Sequence, residues 1–242
     1  MSSISKTDSP RRLLRQTLLI DADDTLWENN IYFERAISSF ISFLDHRVYT
    51  VDEVREHLNV CERATIAAHG YGLQSFRRSL VECFEQLSDL PVTPERHASI
   101  VSFAETIASA EMELLPAVDS TLCELHQRHR LILVTKGNTA EQTGKLERSR
   151  LRPFFNAVEV LVEKNATAYR DVILRYNCDP SSTWMIGNSP KSDINPALEA
   201  GLNAVFIPHD CTWVLEHEVV DYPSAAQQFI ELAKFEDLLQ YF

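Results

Sequence analysis

The sequence is poor in positive charge. Its 242 residues include 23 lysines and arginines against 35 aspartates and glutamates, which gives a net charge of −12. A protein of this sign repels the phosphate backbone of nucleic acids and the anionic surface of a membrane. We therefore expect neither as a partner, and a site for an anion needs a local cation or a metal ion.

Long apolar runs and paired cysteines are also missing. No stretch approaches the roughly 20 apolar residues of a membrane-spanning helix, and the run Leu18-Leu19-Ile20 is too short for the core of a signal peptide. The five cysteines are scattered and form no Cys-x-x-Cys pair, which favours free thiols over a disulfide framework or a zinc site. These absences predict a cytoplasmic protein. Residues 1–12 are expected to form a frayed tail.

What the sequence does contain is a series of short apolar runs, each ending at a small or polar residue. Such runs are typical of strands that are buried on both faces of a parallel sheet. Helical patterns separate the later runs, so strand and helix alternate from about residue 117 to residue 208, as in βαβ units. The five predicted strands are Thr17–Ile20, Leu131–Val134, Val158–Val162, Thr183–Ile186 and Ala204–Ile207.

A long segment after the first strand has no strand pattern. Between residues 27 and 115, apolar residues recur at helical spacing, as in the stripe from Phe33 to Leu44. Two more helices are predicted at 51–69 and 74–88, separated by Gly70-Tyr71-Gly72. That glycine pair suits a plain turn between helices, and it also suits a loop that reaches a substrate.

The predicted architecture is therefore a Rossmann-like parallel sheet sandwiched between helices, interrupted by an all-helical domain. Residues 1–26 and 116–242 form the α/β core, and residues 27–115 form the helical insertion. The apolar residues at 225–242 also show helical spacing, and we expect this segment to dock on the core as a helix.

Two aspartates follow the first predicted strand. Side chains two residues apart in an extended segment share a face, so Asp21 and Asp23 are expected to project together from the carboxyl end of the strand, where open α/β sheets bind ligands. Neighbouring carboxylates repel each other unless a cation intervenes or one is protonated. Magnesium, a hard ion with oxygen ligands, meets this need. The same residues also suit an Asp-rich turn that caps a helix at Thr25.

Polar residues follow three further strands as well. The segment Thr135-Lys136-Gly137 offers a hydroxyl and loop amides to phosphoryl oxygens, although it also suits an ordinary turn. Lys164 follows the third strand, where a lone lysine is more often simply solvated. Asn188 and Asp193 follow the fourth strand and offer oxygens to a metal ion. Since the carboxyl ends of parallel strands lie at one edge of the sheet, we expect all these residues to converge.

Together these segments resemble the haloacid dehalogenase superfamily over residues 16–210. Asp21-x-Asp23-x-Thr25-Leu26 is similar to the first motif of that family, and Gly187-Asn188 through Asp193 is similar to the fourth. Thr135 and Lys164 match the second and third motifs mainly by position. The helical insertion is similar to the cap that follows the first strand in one subgroup of the family.

The resemblance implies a magnesium-dependent phosphatase that hydrolyses small phosphate monoesters through an aspartyl-phosphate. Asp21 would be the nucleophile. Asp23 would protonate the leaving oxygen and then deprotonate the attacking water. Thr135 and Lys164 complete the implied catalytic set by stabilising charge on the phosphoryl group.

The resemblance also implies the binding groups. Phosphoryl oxygens would be held by Thr135, Lys136, Gly137 and Lys164. Magnesium would be bound by the Asp21 carboxylate, the Asp23 main-chain carbonyl, Asn188 and Asp193. Many family members have aspartate where this chain has Asn188, which lowers the negative charge at the metal and puts the strength of metal binding in question.

Several alternatives stay open from the sequence. A 2-haloacid dehalogenase needs no acid for its leaving group, so Asp23 favours a phosphatase. A phosphomutase uses the same residues, and the sequence does not separate it from a hydrolase. A phosphoacceptor receiver domain lacks a long helical insertion, and a catalytically silent binding protein would have no need of the complete set of site residues. The substrate beyond a small phosphorylated metabolite, and the oligomeric state, are not indicated.

Overall fold

The structure is a computed structural model that describes residues 12–13, 15–44, 48–221 and 223–242. All of the tail predicted at residues 1–12 except Arg12 lies outside the described residues. Among those residues, six parallel strands form one sheet in the order β3-β2-β1-β4-β5-β6. The strands are β1 (Thr17–Ile20), β2 (Arg130–Lys136), β3 (Ala157–Leu161), β4 (Thr183–Gly187), β5 (Asn203–Phe206) and β6 (Phe229–Glu231).

Helices cover both faces of this sheet and fill the interval between β1 and β2. None of them, among the residues that the structure describes, is long and apolar enough to cross a membrane. The α-helices are α1 (Asn30–Leu44), α2 (Val51–His69), α3 (Leu73–Leu87), α4 (Pro94–Ala108), α5 (Val118–Leu125), α6 (Thr139–Ser149), α7 (Ala166–Arg175) and α8 (Asn195–Glu199).

The central strand β1 shows why the sheet needs cover on both faces. Leu18 and Ile20 point into one apolar cluster, which contains α5 and the C-terminal segment. Leu19 points into the other, which contains α7 and α8. All three leucine and isoleucine side chains are fully buried, so an unbroken apolar run is what the strand requires. The predicted parallel sheet with flanking helices is confirmed.

The C-terminal segment differs from the sequence-based expectation. The apolar residues between 225 and 242 predict a helix, but Phe229–Glu231 form β6 and pair with β5, and only Phe235–Gln240 form a short 3-10 helix. A strand of three residues is too short to show an alternating pattern. The expected docking does occur, because Phe235, Leu238 and Phe242 are buried in the cluster on one face of the sheet.

Helices α1–α4 form a four-helix segment with a hydrophobic core of its own. The start of α2 follows from its sequence, since Thr50 and Glu53 form a reciprocal capping box. The largest fully buried side chains of the segment are Phe40, Leu58, Leu80 and Ile100, which come one from each helix. The helical pattern read between residues 27 and 115 thus corresponds to four packed helices.

One carboxyl group is buried within this four-helix segment. Glu62 on α2 is 5% exposed, and its Oε2 atom has no hydrogen-bond partner. Arg55 Nη1 lies 3.5 Å from that oxygen. Loss of solvent disfavours the charged form of the carboxyl more than Arg55 favours it, which raises the pKa of Glu62 to about 7.

We expect Glu62 to make the stability of the fold depend on pH. Its pKa rises from 4.5 to about 7 on folding, so the folded state holds an extra proton between these values, and stability falls as the pH rises through them. Glu62→Gln removes this titration. The free energy of unfolding of this variant, relative to that of the wild type, should therefore rise by roughly 2–3 kcal/mol from about pH 5 to about pH 8, as measured by urea denaturation.

The exposed Glu85 on α3 provides the control for this experiment. Glu85→Gln should follow the wild-type stability at every pH. A difference between Glu62→Gln and the wild type that does not change with pH would contradict the prediction.

Candidate active site

Three buried charged groups meet at the carboxyl edge of the sheet. Asp21 follows β1, Lys164 precedes α7, and Asp193 lies in the turn after β4. Lys164 Nζ donates to Asp193 Oδ1 at 2.7 Å and also contacts Asp21 Oδ1. Burial acts to lower the pKa of Lys164, but the adjacent Asp193 and Asp21 carboxylates outweigh this effect and raise it, so the ammonium group stays charged.

Asp193 is held close to β4 by the absence of a side chain at Gly187. A Cβ atom on Gly187 would lie 2.2 Å from Asp193 Oδ2, which is too close for any side chain. The other support comes from the Ser189 amide, which donates to the same oxygen at 3.0 Å. Burial, and then the Asp21 carboxylate, raise the pKa of Asp193 to about 7 against the opposing effect of Lys164.

A threonine hydroxyl joins the first and fourth strand ends. Thr25 Oγ1 lies 2.9 Å from Asp21 Oδ2 and 3.2 Å from Asn188 Oδ1. On its other side Asn188 donates through Nδ2 to the Thr212 hydroxyl at 3.1 Å. A hydroxyl has one proton, so it serves only one of the two oxygens at a time. The Asp21 and Asn188 oxygens therefore face the same small space with acceptor capacity to spare.

Asp23 lies at the same cavity but in a different environment from Asp21. Lys145 Nζ lies 2.8 and 2.9 Å from its two carboxylate oxygens, Gln142 donates to it at 2.9 Å, and the Trp27 indole donates at 2.7 Å. Burial acts to raise the pKa of Asp23, but the Lys145 charge and these hydrogen bonds together lower it. The two aspartates thus bond to separate sets of partners.

The segment after β2 is only partly as the sequence suggests. Thr135 is buried, lines the cavity and donates to Gln142 Oε1 at 3.3 Å. Lys136 also lines the cavity. Gly137 is not part of its lining, and the Gly137 amide donates to the Leu161 carbonyl at 3.0 Å. The expectation that this amide faces a phosphoryl oxygen is therefore not met, because the amide is used to continue the pairing of β2 with β3.

Lys136 is tied to several groups at the mouth of the cavity. Its ammonium lies 2.7 Å from Glu216 Oε1, 2.7 Å from the Ser192 hydroxyl and 4.5 Å from the centre of the Tyr71 ring. Tyr71 in turn donates to Glu163 at 2.8 Å. The Gly70-Tyr71-Gly72 loop of the four-helix segment therefore rests on the sheet edge, and the Leu73 amide adds a contact of 3.1 Å to Glu141.

These groups surround a cavity of about 170 Å³ between the sheet edge and the four-helix segment. Every site residue proposed from the sequence lines it except Gly137. The lining residues from the sheet edge are Asp21, Asp23, Thr135, Lys136, Lys164, Asn188 and Asp193. The convergence expected from the order of the motifs is thus present in the structure.

The sequence analysis missed several polar groups of this cavity, including Gln142, Lys145 and Glu216. Gln142 and Lys145 lie one turn apart on α6 and face Asp23, and Glu216 lies on the loop after β5. A signal was available for the first two, because a helix that follows a strand end directs one face toward the adjoining site. Glu216 has no local signal, since it is far in sequence from every motif.

A second group of possible metal ligands lies nearby. Asp24, Glu28 and His209 bring one ligand atom each within 4.8 Å of one another. Asp24 is already used to start α1, because its carboxylate accepts from the Asn29 and Asn30 amides at 2.9 and 3.0 Å. The Nδ1 atom of His209 likewise accepts from the Cys211 amide at 3.3 Å. These contacts indicate that the group stabilises the adjoining loops.

Curated relatives of the chain are phosphatases by name. It is 33% identical over 103 residues to a glyceraldehyde 3-phosphate phosphatase of Methanothermobacter thermautotrophicus, and 29% identical over 119 residues to the human N-acylneuraminate-9-phosphatase. These matches cover 40% and 47% of this chain. The chain spans about half the length of the curated relatives it matches, 46% in each case.

Solved structures share the fold over nearly the whole chain. A haloacid dehalogenase-like hydrolase from Xanthomonas campestris has a TM-score of 0.76 at 23% identity, with 93% of this chain and 92% of that chain covered. The hydrolase YfnB from Bacillus subtilis, whose structure holds magnesium, has a TM-score of 0.62 at 19% identity, with 94% and 97% covered.

The identity to these solved structures is too low to establish the family, but a match to a family model does establish it. The model for haloacid dehalogenase-like hydrolases matches residues 16–201, an interval that contains the four strand ends and the Lys164 cluster with both of its aspartates. The chain belongs to the haloacid dehalogenase-like hydrolase family.

Proposed function

We propose that the protein is a magnesium-dependent phosphatase that hydrolyses small phosphate monoesters through an aspartyl-phosphate. The observation that carries this proposal is the buried contact of Lys164 with both Asp21 and Asp193 at the base of the cavity. It supports the proposal because the Asp21 carboxylate, the proposed nucleophile, lies beside a buried cation that can neutralise a phosphoryl oxygen. The phosphatase names of the curated relatives support the same chemistry.

The residues present suit magnesium. Asp21 and Asn188 direct oxygen atoms at one hydroxyl, and an all-oxygen donor set is what this ion prefers. Asp193 bonds to Lys164 and Ser189, but a carboxylate has about four acceptor positions and two stay available. We propose Asp21, the Asp23 main-chain carbonyl, Asn188 and Asp193 as the ligands. Magnesium bound there would offset the repulsion between Asp21 and an anionic phosphate.

The proposed reaction has two steps. An oxygen of the Asp21 carboxylate attacks phosphorus, and the bond from phosphorus to the ester oxygen breaks as Asp23 protonates that oxygen. Water then attacks the aspartyl-phosphate and gives a proton to Asp23, which releases phosphate and restores Asp21. Thr135, Lys136 and Lys164 stabilise the negative charge on the phosphoryl oxygens.

The environment of Asp23 fits the second step as it stands. Its low pKa and its contact with Lys145 favour the ionised form, which is the form that accepts a proton from water. For the first step Asp23 must take up a proton and separate from Lys145. An acid at this position has no use in a dehalogenase, which expels a halide, so the position of Asp23 at the cavity favours phosphate ester hydrolysis.

We propose that the four-helix segment acts as a cap domain, with residues 27–115 inserted into an α/β core of residues 1–26 and 116–242. Its loop at Gly70-Tyr71-Gly72 contacts the sheet edge beside the cavity. A cover of this kind excludes bulk water before attack and strengthens the charge interactions inside the cavity.

Removal of the proposed nucleophile should abolish phosphatase activity. Asp21→Asn keeps the shape of the side chain but removes the attacking charge, so we expect kcat to fall by at least about a thousandfold. Release of inorganic phosphate from a panel of small phosphorylated metabolites with magnesium measures the effect. Mass spectrometry must show that the introduced amide has not deamidated back to a carboxylate.

The exposed Asp210 lies on the loop after β5 and provides a matched control. Asp210→Asn should retain the wild-type rate. An Asp21→Asn protein that is free of deamidation and keeps the wild-type rate would contradict the proposed mechanism.

A carboxylate in place of Asn188 should strengthen metal binding. In Asn188→Asp the added negative charge faces the same space as Asp21, and the Thr212 hydroxyl, which donates to the His209 carbonyl at 2.9 Å, must leave that partner to donate to the new oxygen. One added unit of negative charge near the ion strengthens its binding. We therefore expect the magnesium concentration that gives half-maximal activity to fall by several-fold. Titration of chelator-treated enzyme with magnesium measures it, and an unchanged or higher half-saturation point would speak against Asn188 as a ligand.

A further inference from the structure

The cavity has two chemically different sides. The side formed by the sheet edge is ionic and contains the Lys164 cluster described above. The side formed by the four-helix segment is mainly apolar, and three helices contribute residues about one turn apart. These residues are Asn30, Phe33 and Ile37 from α1, Glu62 and Ile66 from α2, and Ser75, Phe76 and Ser79 from α3.

Glu62 is the single ionisable side chain that helices α1–α3 contribute to this lining, within the part of the chain that the structure describes. Its side chain is 7% exposed, and Oε2 accepts no hydrogen bond. A buried carboxyl oxygen without a donor costs free energy on the order of 1–3 kcal/mol. The Oε2 atom is closed to solvent beside Arg55, so a ligand meets the carboxyl group where Glu62 lines the cavity, and a donor placed there would stabilise it.

Arg55, Ser75 and Ser79 do not supply that donor. Arg55 Nη1 is 3.5 Å from Oε2, but the hydrogen bond of this guanidinium goes through Nη2 to Glu34 at 2.7 Å. On α3 the Ser79 hydroxyl donates to the Ser75 carbonyl, and the Ser75 hydroxyl donates to the Gly70 carbonyl. Both hydroxyl protons are therefore engaged by main-chain oxygens.

We propose that Glu62 is the recognition residue for the leaving group, and that the preferred substrates are phosphate monoesters of compact alcohols with an apolar body and one distal hydrogen-bond donor. This inference rests on the proposed phosphatase function. The phosphoryl group lies on the ionic side of the cavity, the apolar body lies against Phe33, Ile37, Ile66 and Phe76, and a hydroxyl or ammonium group donates to Glu62.

The size of the cavity limits the apolar body. A volume of about 170 Å³ is close to the roughly 150 Å³ of a cavity that holds one benzene molecule. The rings of Phe33 and Phe76 meet edge to face at 5.0 Å and form a continuous apolar surface. Since the phosphoryl group occupies part of the same volume, we expect an apolar body no larger than about one aromatic ring.

Aryl phosphates with and without a donor test the inference. We would compare kcat/KM for phenyl phosphate with the meta and para isomers of (hydroxymethyl)phenyl phosphate and (aminomethyl)phenyl phosphate, in which a methylene group keeps the leaving oxygens similar. The wild type should prefer at least one isomer of a donor substrate by about tenfold or more. A larger preference for the amine identifies a cationic donor, and a larger preference for the alcohol identifies a neutral one.

Variants of Glu62 assign this preference to the carboxyl group. In Glu62→Leu the ratio of kcat/KM between donor substrate and phenyl phosphate should fall to about 1. In Glu62→Gln the amide oxygen still accepts from an alcohol, so that ratio should persist while the ratio for the amine falls by about tenfold. Glu85→Leu, an exposed site on α3, should leave both ratios at the wild-type value.

Three outcomes would overturn the inference. The first is a wild type that hydrolyses all the aryl phosphates equally, and the second is a donor preference that survives in Glu62→Leu. The third is a loss of thermal stability in Glu62→Leu with unchanged ratios, which would make Glu62 a partner of Arg55 alone. In each case hydrolysis that depends on Asp21 would leave the phosphatase function standing, whereas no Asp21-dependent hydrolysis of any phosphate ester would remove both proposals.

Discussion

The contact of Lys164 with two aspartates is the interaction on which the rest of the site depends. Asp21 and Asp193 are buried at the edge of the sheet, and their charges would repel each other without the lysine between them. Loss of one partner from such a buried group is costly, on the order of 3–5 kcal/mol, because it leaves uncompensated charge. Several neighbouring features serve this arrangement, including the bare Cα of Gly187, the Ser189 amide and the Thr25 hydroxyl.

The electrostatic difference between Asp21 and Asp23 arises within two residues of chain. Asp21 continues the line of β1, and its amide still donates to the Ile186 carbonyl at 2.9 Å. The chain then turns sharply, with Asp24 in the left-handed region at φ 60°, and Asp23 is directed to α6 instead. The Asp21 carboxylate thus lies against Lys164, which also contacts Asp193. The Asp23 carboxylate lies against Lys145 and two neutral donors. This separation gives two identical side chains different partners and different electrostatic surroundings.

Much of the fold follows from local patterns in the sequence. Strands β1, β2, β4 and β5 are visible because they are largely apolar on both faces, whereas β3 is half-buried around Glu159 and is visible from its valines. Helix α2 lies between its capping residues Thr50 and Gly70, as the sequence indicates. The strand β6 is not visible, because three residues carry too little pattern. In the site, the residues at strand ends are predictable since parallel strands bring them to one edge. Glu62 is not, because its position depends on how helix α2 packs against that edge. Gly137 shows the opposite error, in which a suitable residue type is present but its amide is used by β3.

The Gly70-Tyr71-Gly72 loop meets the sheet edge through a few polar contacts, namely those of Tyr71 with Glu163 and Lys136 and that of Leu73 with Glu141. The contact of Tyr71 with Glu163 is exposed and the other two are partly buried, so each contributes on the order of 1 kcal/mol, and dissolved ions weaken the exposed one further. Parting the two surfaces consequently takes little free energy compared with opening the apolar interior of either half. Raising the ionic strength therefore weakens the loop contacts at the entrance of the cavity, while the buried charge interactions inside it are screened much less.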